Sequence, residues 1–350
     1  MSTTELPVRE VTGAQRFDEA KLEAYLRANI PDLGANMQVR QFHGGASNPT
    51  FLISAEGPDG PKRYVLRKKP PGQLLSSAHQ VDREYRVMKA LEGHIPVPHM
   101  RLLCTDPEVI GTSFYLMDFL EGRIFRDATL PGLTPAERSA IYDELNATLA
   151  KLYQVDYRAV GLEDFGRPGG YFERQVARWT KQYRDAESET IPAMEELIRD
   201  LPGLIPDEQS VSIAHGDYRL ENVMFHPTEP KLIAVLDWEL STIGHPLADI
   251  AYNGFLWHST GASWGSLVGV DFATSGIPTE AEYVAAYCRR TGRPGIENWN
   301  FYLAFSIFRL ASISQGVYRR VLAGIAASDR PAENGTPALA AQALEILRRG

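Results

Sequence analysis

Four side chains that could do chemistry together stand in AHGDYRLENVMF, residues 214–225, and in the later stretch LIAVLDWELSTIGHPLADIAYN, residues 232–253. They are His215, Asp217, Asn222 and Asp237. Asp217 and Asn222 are five apart and follow a short apolar run. Asp237 follows a second apolar run, IAVL. Two carboxylates and an amide oxygen gathered at strand ends make a hard-oxygen site. Mg²⁺ prefers such sites, and it keeps several waters and substrate phosphates as further ligands. In phosphoryl transfer the protein positions groups and neutralises charge: an Asp takes the acceptor hydroxyl's proton, and an Asn with a second Asp holds the metal. The plain structural alternative is that Asp217 caps a turn, Asn222 forms an Asx-turn and Asp237 ends a strand. His215 is expected to hold its loop by a hydrogen bond.

The spacing matches the protein-kinase pattern H-R-D-x-x-x-x-N followed by D-F-G. Gly216 stands in place of the Arg, and Trp238-Glu239 in place of Phe-Gly. Arg219, two residues after Asp217, is placed to stabilise charge on a moving phosphoryl group. The N-terminal half offers phosphate-binding parts. The glycines of GGASN, residues 44–48 and including Gly45, let backbone amides approach a phosphate, and Ser47 adds a hydroxyl. KRYVLRKK, residues 62–69, carries five basic residues and no acidic one. It reads either as a lysine-guarded edge strand or as the strand whose cation meets the phosphates. Read against the V-A-I-K strand of kinases, that cation is Arg67, and alternation turns Lys68 to the opposite face. Glu84, in the next helix, is the natural partner of Arg67. FYLMDFLEG, residues 114–122, reads as a buried strand leading into a connector. There an adenine would bond the backbone at Asp118 and Leu120, with Met117 behind the base.

These groups need elements to hold them. Residues 1–15 read as a loose arm. A helix is expected over 17–30, with Asp18 as N-cap and Leu22, Tyr25, Leu26 and Ile30 on one face. Strands are expected at 38–43, 50–55, 63–68, 99–104 and 112–119, with a helix at 79–91 whose apolar face is Val81, Tyr85, Met88 and Leu91. After Gly122 the pattern turns helical. Thr134-Pro135-Ala136-Glu137 is a capping box with Pro at the first helical position. Helices are expected near 171–185, 190–200, 279–290, 298–320 and 337–349, with short strands at 211–214, 223–225 and 232–236. The fold class is therefore α+β and two-lobed: a small antiparallel β-rich lobe at 1–117, a hinge at 118–122, and a larger, mainly helical lobe at 123–350. A cleft between lobes is a common ligand site.

The chain has 350 residues, 44% of them hydrophobic, and 36 basic against 44 acidic side chains give a net charge of −8. That argues against a general nucleic-acid binder. Cys104 and Cys288 are too few and too far apart for a disulfide scaffold or a zinc motif. No apolar run approaches a membrane span, and the polar N-terminus lacks the apolar core of a signal peptide. The expectation is a cytoplasmic protein with no membrane and no nucleic-acid partner.

Together these residues resemble the aminoglycoside phosphotransferase / choline kinase family, whose fold is protein-kinase-like, over roughly residues 35–320. LRKKPPGQLLSSAHQVDREYRV and AVLDWELSTIGHPLADIAY are similar to one branch, the kinase-like domains attached to some acyl-CoA dehydrogenases and their free-standing bacterial relatives. The resemblance implies an ATP- and Mg²⁺-dependent enzyme that phosphorylates a small-molecule hydroxyl. In that branch the acceptor is a hydroxyacyl-CoA, typically phosphorylated at C4 to prepare it for elimination. It implies Asp217 as catalytic base, Asn222 and Asp237 as Mg²⁺ ligands, Ser47 and Arg67 on the phosphates, and Glu84 orienting Arg67. It also admits functional coupling to an acyl-CoA dehydrogenase. Two departures are an Arg for the usual strand Lys, which holds phosphate in a planar fork, and a loop GGASNP without the full G-x-G-x-x-G. The alternatives are an aminoglycoside or amino-alcohol kinase, and a catalytically silent nucleotide-binding partner of an acyl-CoA dehydrogenase. A protein kinase is disfavoured because no D-F-G or A-P-E follows Asp237.

On the acceptor side, residues 254–278 are rich in Gly, Ser and Trp, and a loop of this length is expected to help form the acceptor pocket. Arg309 lies inside an apolar helix, where a charge must be paired or exposed. It is expected to contact Asp249 or an anionic acceptor. Arg319 and Arg320 complement the same helix's dipole.

Overall fold

A computed structural model describes residues 8–11, 13–43, 48–70, 81–260, 265–324 and 333–349. The expected phosphate loop residues Gly45 and Ser47 lie outside the described residues. So does the start of the helix expected from residue 79.

The chain divides into two units, and the first is discontinuous. It comprises the described residues up to Arg123 together with Met224–Glu229 and Ile233–Ser241. The expected division gave every residue after 122 to the second lobe. Its frame is a six-stranded antiparallel sheet of β1 (Val8–Arg9), β2 (Ala35–Phe42), β3 (Thr50–Gly57), β4 (Gly60–Lys68), β5 (Met100–Cys104) and β6 (Phe114–Asp118), in the order β1-β2-β3-β4-β6-β5. The expected loose arm is partly tied down, because Val8 and Arg9 pair with Phe42 and Gln41.

Helix α1 (Glu19–Asn29) starts where Asp18 accepts a hydrogen bond from the Lys21 amide at 3.0 Å. Its Leu22 and Leu26 pack with Phe51, Ile53, Leu66, Phe114 and Leu116 into one apolar cluster. Alternation along β4 turns Lys68 toward that side, where Nζ bonds Gln15 Oε1 at 3.1 Å and lies 5.8 Å from the Phe51 ring centroid. The next residue back, Arg67, therefore faces the other way. There α2 (Val81–Leu91) contacts β5 and β6. Its buried stripe is Val81, Glu84, Val87, Met88 and Leu91. The sequence reading put Tyr85 on that face; the structure puts the carboxylate of Glu84 there. The short helix α3 (Pro107–Ile110), started by Asp106, was not expected.

The second unit is built on helices: α4 (Pro135–Gln154), α5 (Tyr171–Ala186), α6 (Pro192–Asp200), α7 (Leu247–Gly254), α8 (Phe272–Ser275), α9 (Glu280–Thr291), α10 (Trp299–Leu322) and α11 (Thr336–Leu347). Helix α4 opens on the expected capping box, with Thr134 and Glu137 bonded reciprocally. Helix α10 packs against α5, α7 and α11, and is buried from Phe301 through Ser312. Four short strands complete the chain: β7 (Ser212–Ala214), β8 (Val223–Phe225), β9 (Leu232–Val235) and β10 (Thr242–Gly244). β10 pairs antiparallel with β7, and β8 pairs with β9. The segment 254–278 is not all loop. Trp257 donates its indole N–H to the Pro278 carbonyl at 2.9 Å, and its ring lies against Tyr142 and Tyr283. No described helix is long and apolar enough to cross a membrane.

His245 links β10 to α7. Its Nδ1 accepts the Leu247 amide at 3.2 Å, and its ring stacks on Tyr302 with centroids 5.7 Å apart. Burial pushes the imidazole down to about 4, against the pull of Glu208. The folded protein thus keeps His245 neutral where the unfolded chain, titrating near 6.5, takes up a proton. The contribution to stability is whole above pH 6.5 and is lost as pH falls toward 4. His245→Asn, which keeps an acceptor for the Leu247 amide, is expected to flatten the loss of stability between pH 6.5 and 4 by on the order of 3 kcal/mol. Urea denaturation at a series of pH values measures it.

Candidate active site

In the first unit three carboxylates surround one guanidinium. Arg67 leaves β4 opposite Tyr115 of β6, on the face turned to α2. Its NH1 is 3.2 Å from Glu84 Oε2, and its NH2 is 3.0 Å from Asp237 Oδ1 and 3.5 Å from Glu239 Oε2. Glu84 is buried and fully partnered. Its Oε1 accepts from Asn48 Nδ2 at 2.5 Å, and its Oε2 accepts the Tyr115 hydroxyl at 3.0 Å. Burial pushes this carboxyl up to about 7, while Arg67 and Tyr115 act to hold it down. Burial works against the charge of Arg67, but Tyr115, Glu84 and Asp237 outweigh it and keep the guanidinium above its ordinary range.

Asp237 sits at φ +63° and ψ +63°, a left-handed conformation that is uncommon for any residue but glycine and is tolerated best by Asn and Asp. This turn follows β9 and precedes the Trp238–Leu240 turn, where buried Trp238 donates its indole N–H to the Val235 carbonyl at 3.0 Å. Backbone strain of this kind clusters at ligand clamps and active sites. Met117 shares the sheet face of Arg67, two residues beyond Tyr115. The Asp118 backbone amide donates to the His99 carbonyl at 2.9 Å, and Arg101 Nε holds its carboxylate at 2.6 Å. Leu120 lies two residues past the end of β6.

In the second unit the residues expected to react lie on one loop after β7. Asn222 Nδ2 donates to Asp217 Oδ2 at 2.7 Å and to the Asp217 carbonyl at 2.9 Å. The Asp217 amide donates to His215 Nδ1 at 3.1 Å, so His215 holds the loop as expected. Arg219 Nε is 3.9 Å from Asp217 Oδ1, and its NH2 pairs with Glu221 at 2.6 Å.

The anchor of this loop was not anticipated. Asp249, at the start of α7 and fully buried, accepts the amides of His215 at 2.7 Å and Gly216 at 2.8 Å. Burial pushes its carboxyl up, and the two amides act to bring it down. Gly216 turns with φ +83°, which a side chain would resist. From the same helix, Asn253 Nδ2 donates to the Tyr218 carbonyl at 2.7 Å, and the Tyr252 hydroxyl is engaged by Asp217. The expected contact between Arg309 and Asp249 is not an ion pair; the guanidinium of Arg309 lies against the rings of Tyr252 and Trp179 instead.

The sequence reading gave no place in the site to Asn48, Tyr115, Glu239, Tyr252 or Asn253, and named Asp249 only as a contact of Arg309. Two had signals in the sequence: Asn48 ends the string GGASN, and Asp249 lies in the polar interruption of the apolar run PLADIAY.

The profile of the phosphotransferase enzyme family (APH) matches residues 38–302. The chain belongs to that family. It is similar to human acyl-CoA dehydrogenase family member 11, with 47% identity over 92% of this chain and 42% of that protein. The chain spans less than half the length of the curated relatives it matches. Among solved structures it is similar to a candidate aminoglycoside phosphotransferase from Ralstonia eutropha JMP134, with 47% identity, a TM-score of 0.87, and coverage of 95% of this chain and 99% of that one. A thermostable mutant of aminoglycoside phosphotransferase APH(4)-Ia, solved with AMP-PNP and hygromycin B, shares the fold at 15% identity and a TM-score of 0.60, over 94% of this chain and 98% of that one. The kinase-like fold expected from the family motifs is therefore the fold of this chain, and it is that of small-molecule kinases.

Removing one partner from a buried ion pair strands the other charge. Arg67→Met is expected to cost about 3–5 kcal/mol. Adding Glu84→Gln to it should recover part of that loss. Urea denaturation of the two single variants and the double variant gives the coupling; strictly additive losses would mean that Arg67 and Glu84 do not stabilise one another.

Proposed function

We propose that this protein is an ATP- and Mg²⁺-dependent phosphotransferase that moves the γ-phosphoryl group to a hydroxyl of a small molecule, favouring a hydroxyacyl-CoA. The observation that carries the reading is the Asp217 carboxylate. It is oriented by Asn222 and by the Tyr252 hydroxyl, on a loop whose backbone is gripped by buried Asp249. A carboxylate held this firmly can align an acceptor hydroxyl and accept its proton as the oxygen attacks. Arg219, beside it, would face the charge that spreads over the transferring group.

The donor set fits Mg²⁺. Asn222 spends its amide nitrogen on Asp217, so Oδ1 is the atom left for a cation. Asp237 gives Oδ1 to Arg67, keeps a second oxygen, and is 34% exposed. No three His, Cys, Asp or Glu side chains form a metal cage among the described residues. A cation held by two side chains would be completed by waters and phosphates. Asn222 and Asp237 would hold it, and once bound it would neutralise phosphate charge. Arg67, oriented by Glu84, would meet the phosphates together with Gly45 and Ser47. Met117, Asp118 and Leu120 would form the seat of the base. The AMP-PNP complex of the aminoglycoside phosphotransferase supports a nucleotide in this fold.

The acceptor reading rests on the similarity, across 92% of this chain, to a protein named as an acyl-CoA dehydrogenase family member. A phosphorylated hydroxyacyl-CoA is a substrate prepared for elimination, which couples this activity to an acyl-CoA dehydrogenase. Mass spectrometry of 3- and 4-hydroxyacyl-CoAs, aminoglycosides and choline-like alcohols, each incubated with protein, ATP and Mg²⁺, tests it. The expected product is a phosphorylated hydroxyacyl-CoA. Asp217→Asn is expected to lower kcat about 10²- to 10⁴-fold while leaving nucleotide affinity nearly unchanged. A phosphorylated aminoglycoside alone would keep the chemistry and reject the acceptor. Tight nucleotide binding without any turnover would reject the enzyme.

A further inference from the structure

Arg309 is a buried cation that the reading so far does not use. It lies in the middle of α10, on the stretch buried from Phe301 through Ser312, and is only 9% exposed. Its guanidinium carbon is 5.2 Å from the ring centroid of Tyr252 and 5.5 Å from that of Trp179. No carboxylate of the described residues lies within ion-pair distance of it, and its Nε, fully buried, has no hydrogen-bond partner. Asp249 acts on it only at longer range, since that carboxylate is spent on the amides of His215 and Gly216. Ring faces offset part of the cost of taking a guanidinium out of water, but buried charges are ordinarily paired.

Further cations stand nearby. Burial pushes the Tyr171 phenol up, Arg309, Arg178 and Arg174 act to bring it down against Asp249, and Arg178 shares the Trp179 ring at 5.1 Å. The Tyr252 ring connects this cation to the reacting loop. Its face meets the guanidinium of Arg309, and its hydroxyl is engaged by Asp217. Arg309 and the proposed base Asp217 therefore share one neighbour, the Tyr252 side chain. A group held at Arg309 would sit a few bonds from the hydroxyl that Asp217 receives. The phosphates of a CoA ester lie too far along the molecule to reach both positions, whereas its acyl carbonyl, or the carboxylate of the free acid, does not.

We propose that Arg309 is the residue that selects the acceptor, by pairing with the carboxyl-derived oxygen of a short hydroxy acid or of its thioester while the hydroxyl a few carbons away meets Asp217. This rests on the acceptor reading given above. It makes the site hostile to polycationic acceptors, which would set an ammonium against a buried guanidinium.

The test compares three acceptors on the full chain with ATP and Mg²⁺: 4-hydroxypentanoyl-CoA, 4-hydroxypentanoate and pentane-1,4-diol, which lacks the carboxyl oxygen. Wild type should prefer the first two over the diol. The ester outpacing the acid would identify the thioester carbonyl as the natural partner, and the reverse order the carboxylate. Arg309→Gln should raise KM for the carboxyl-bearing acceptors by about 10- to 100-fold. It should leave kcat within a few-fold, leave KM for ATP unchanged, and leave turnover of the diol unaltered. Arg309→Lys, which keeps the charge without the planar fork, should lie between. Equal use of all three acceptors by wild type would overturn the assignment of Arg309 alone, and needs no variant that folds. An Arg309→Gln variant that loses the diol as severely as the acids would show a merely structural role and also overturn it. No turnover of any of the three by wild type would overturn the acceptor reading, and this inference with it.

Discussion

A carboxylate taken out of water must be answered by its neighbours, and Glu84 sets that demand on the first unit. It draws on a loop amide from Asn48, a phenol from β6 and a guanidinium from β4, so three separate segments converge on one side chain. Because desolvation alone would neutralise such a group, the local geometry is fixed as tightly as a packed core would fix it. Arg67 in turn carries that constraint outward to Asp237 and Glu239, at the turn after β9. The strained backbone at Asp237 is held in place because its side chain is tied to this chain of charges.

The second unit solves the same problem with different chemistry. Asp249 is also a buried carboxylate, but two consecutive backbone amides satisfy it rather than a cation. Amides have no rotamers to order, so the loop is held with little loss of side-chain freedom. Three residues of α7, at 249, 252 and 253, each reach a different point of the segment 215–218. The helix thus acts as a template for the loop, and the orientation of Asp217 follows from where α7 sits.

Much of this was legible in the sequence because spacing and polarity carried it. The five-residue step from Asp217 to Asn222 is a local property, and the structure realises it as a direct hydrogen bond. The amphipathic helices and the capping box of α4 are local as well. The reading failed where burial is not one-sided. Every residue of α7 is buried, so it shows no apolar stripe, and Asp249 was expected only as a contact of Arg309. In α2 the expected aromatic Tyr85 gave way to Glu84, because a charge answered by three partners can occupy a core position that its hydropathy forbids. The contact expected between Arg309 and Asp249 failed for a related reason: Asp249 was already committed to backbone amides.

The first unit is discontinuous: its six-stranded sheet lies before residue 124, but it also takes in Met224–Glu229 and Ile233–Ser241. The ion pair between Arg67 and Asp237 spans 170 residues of chain. During synthesis the sheet can pair as soon as β6 leaves the ribosome. The guanidinium of Arg67 nevertheless lacks the carboxylates of Asp237 and Glu239 until that later stretch has emerged. A nascent chain in that interval carries a sheet whose charged face is unfinished, the kind of partly assembled species that chaperones shield.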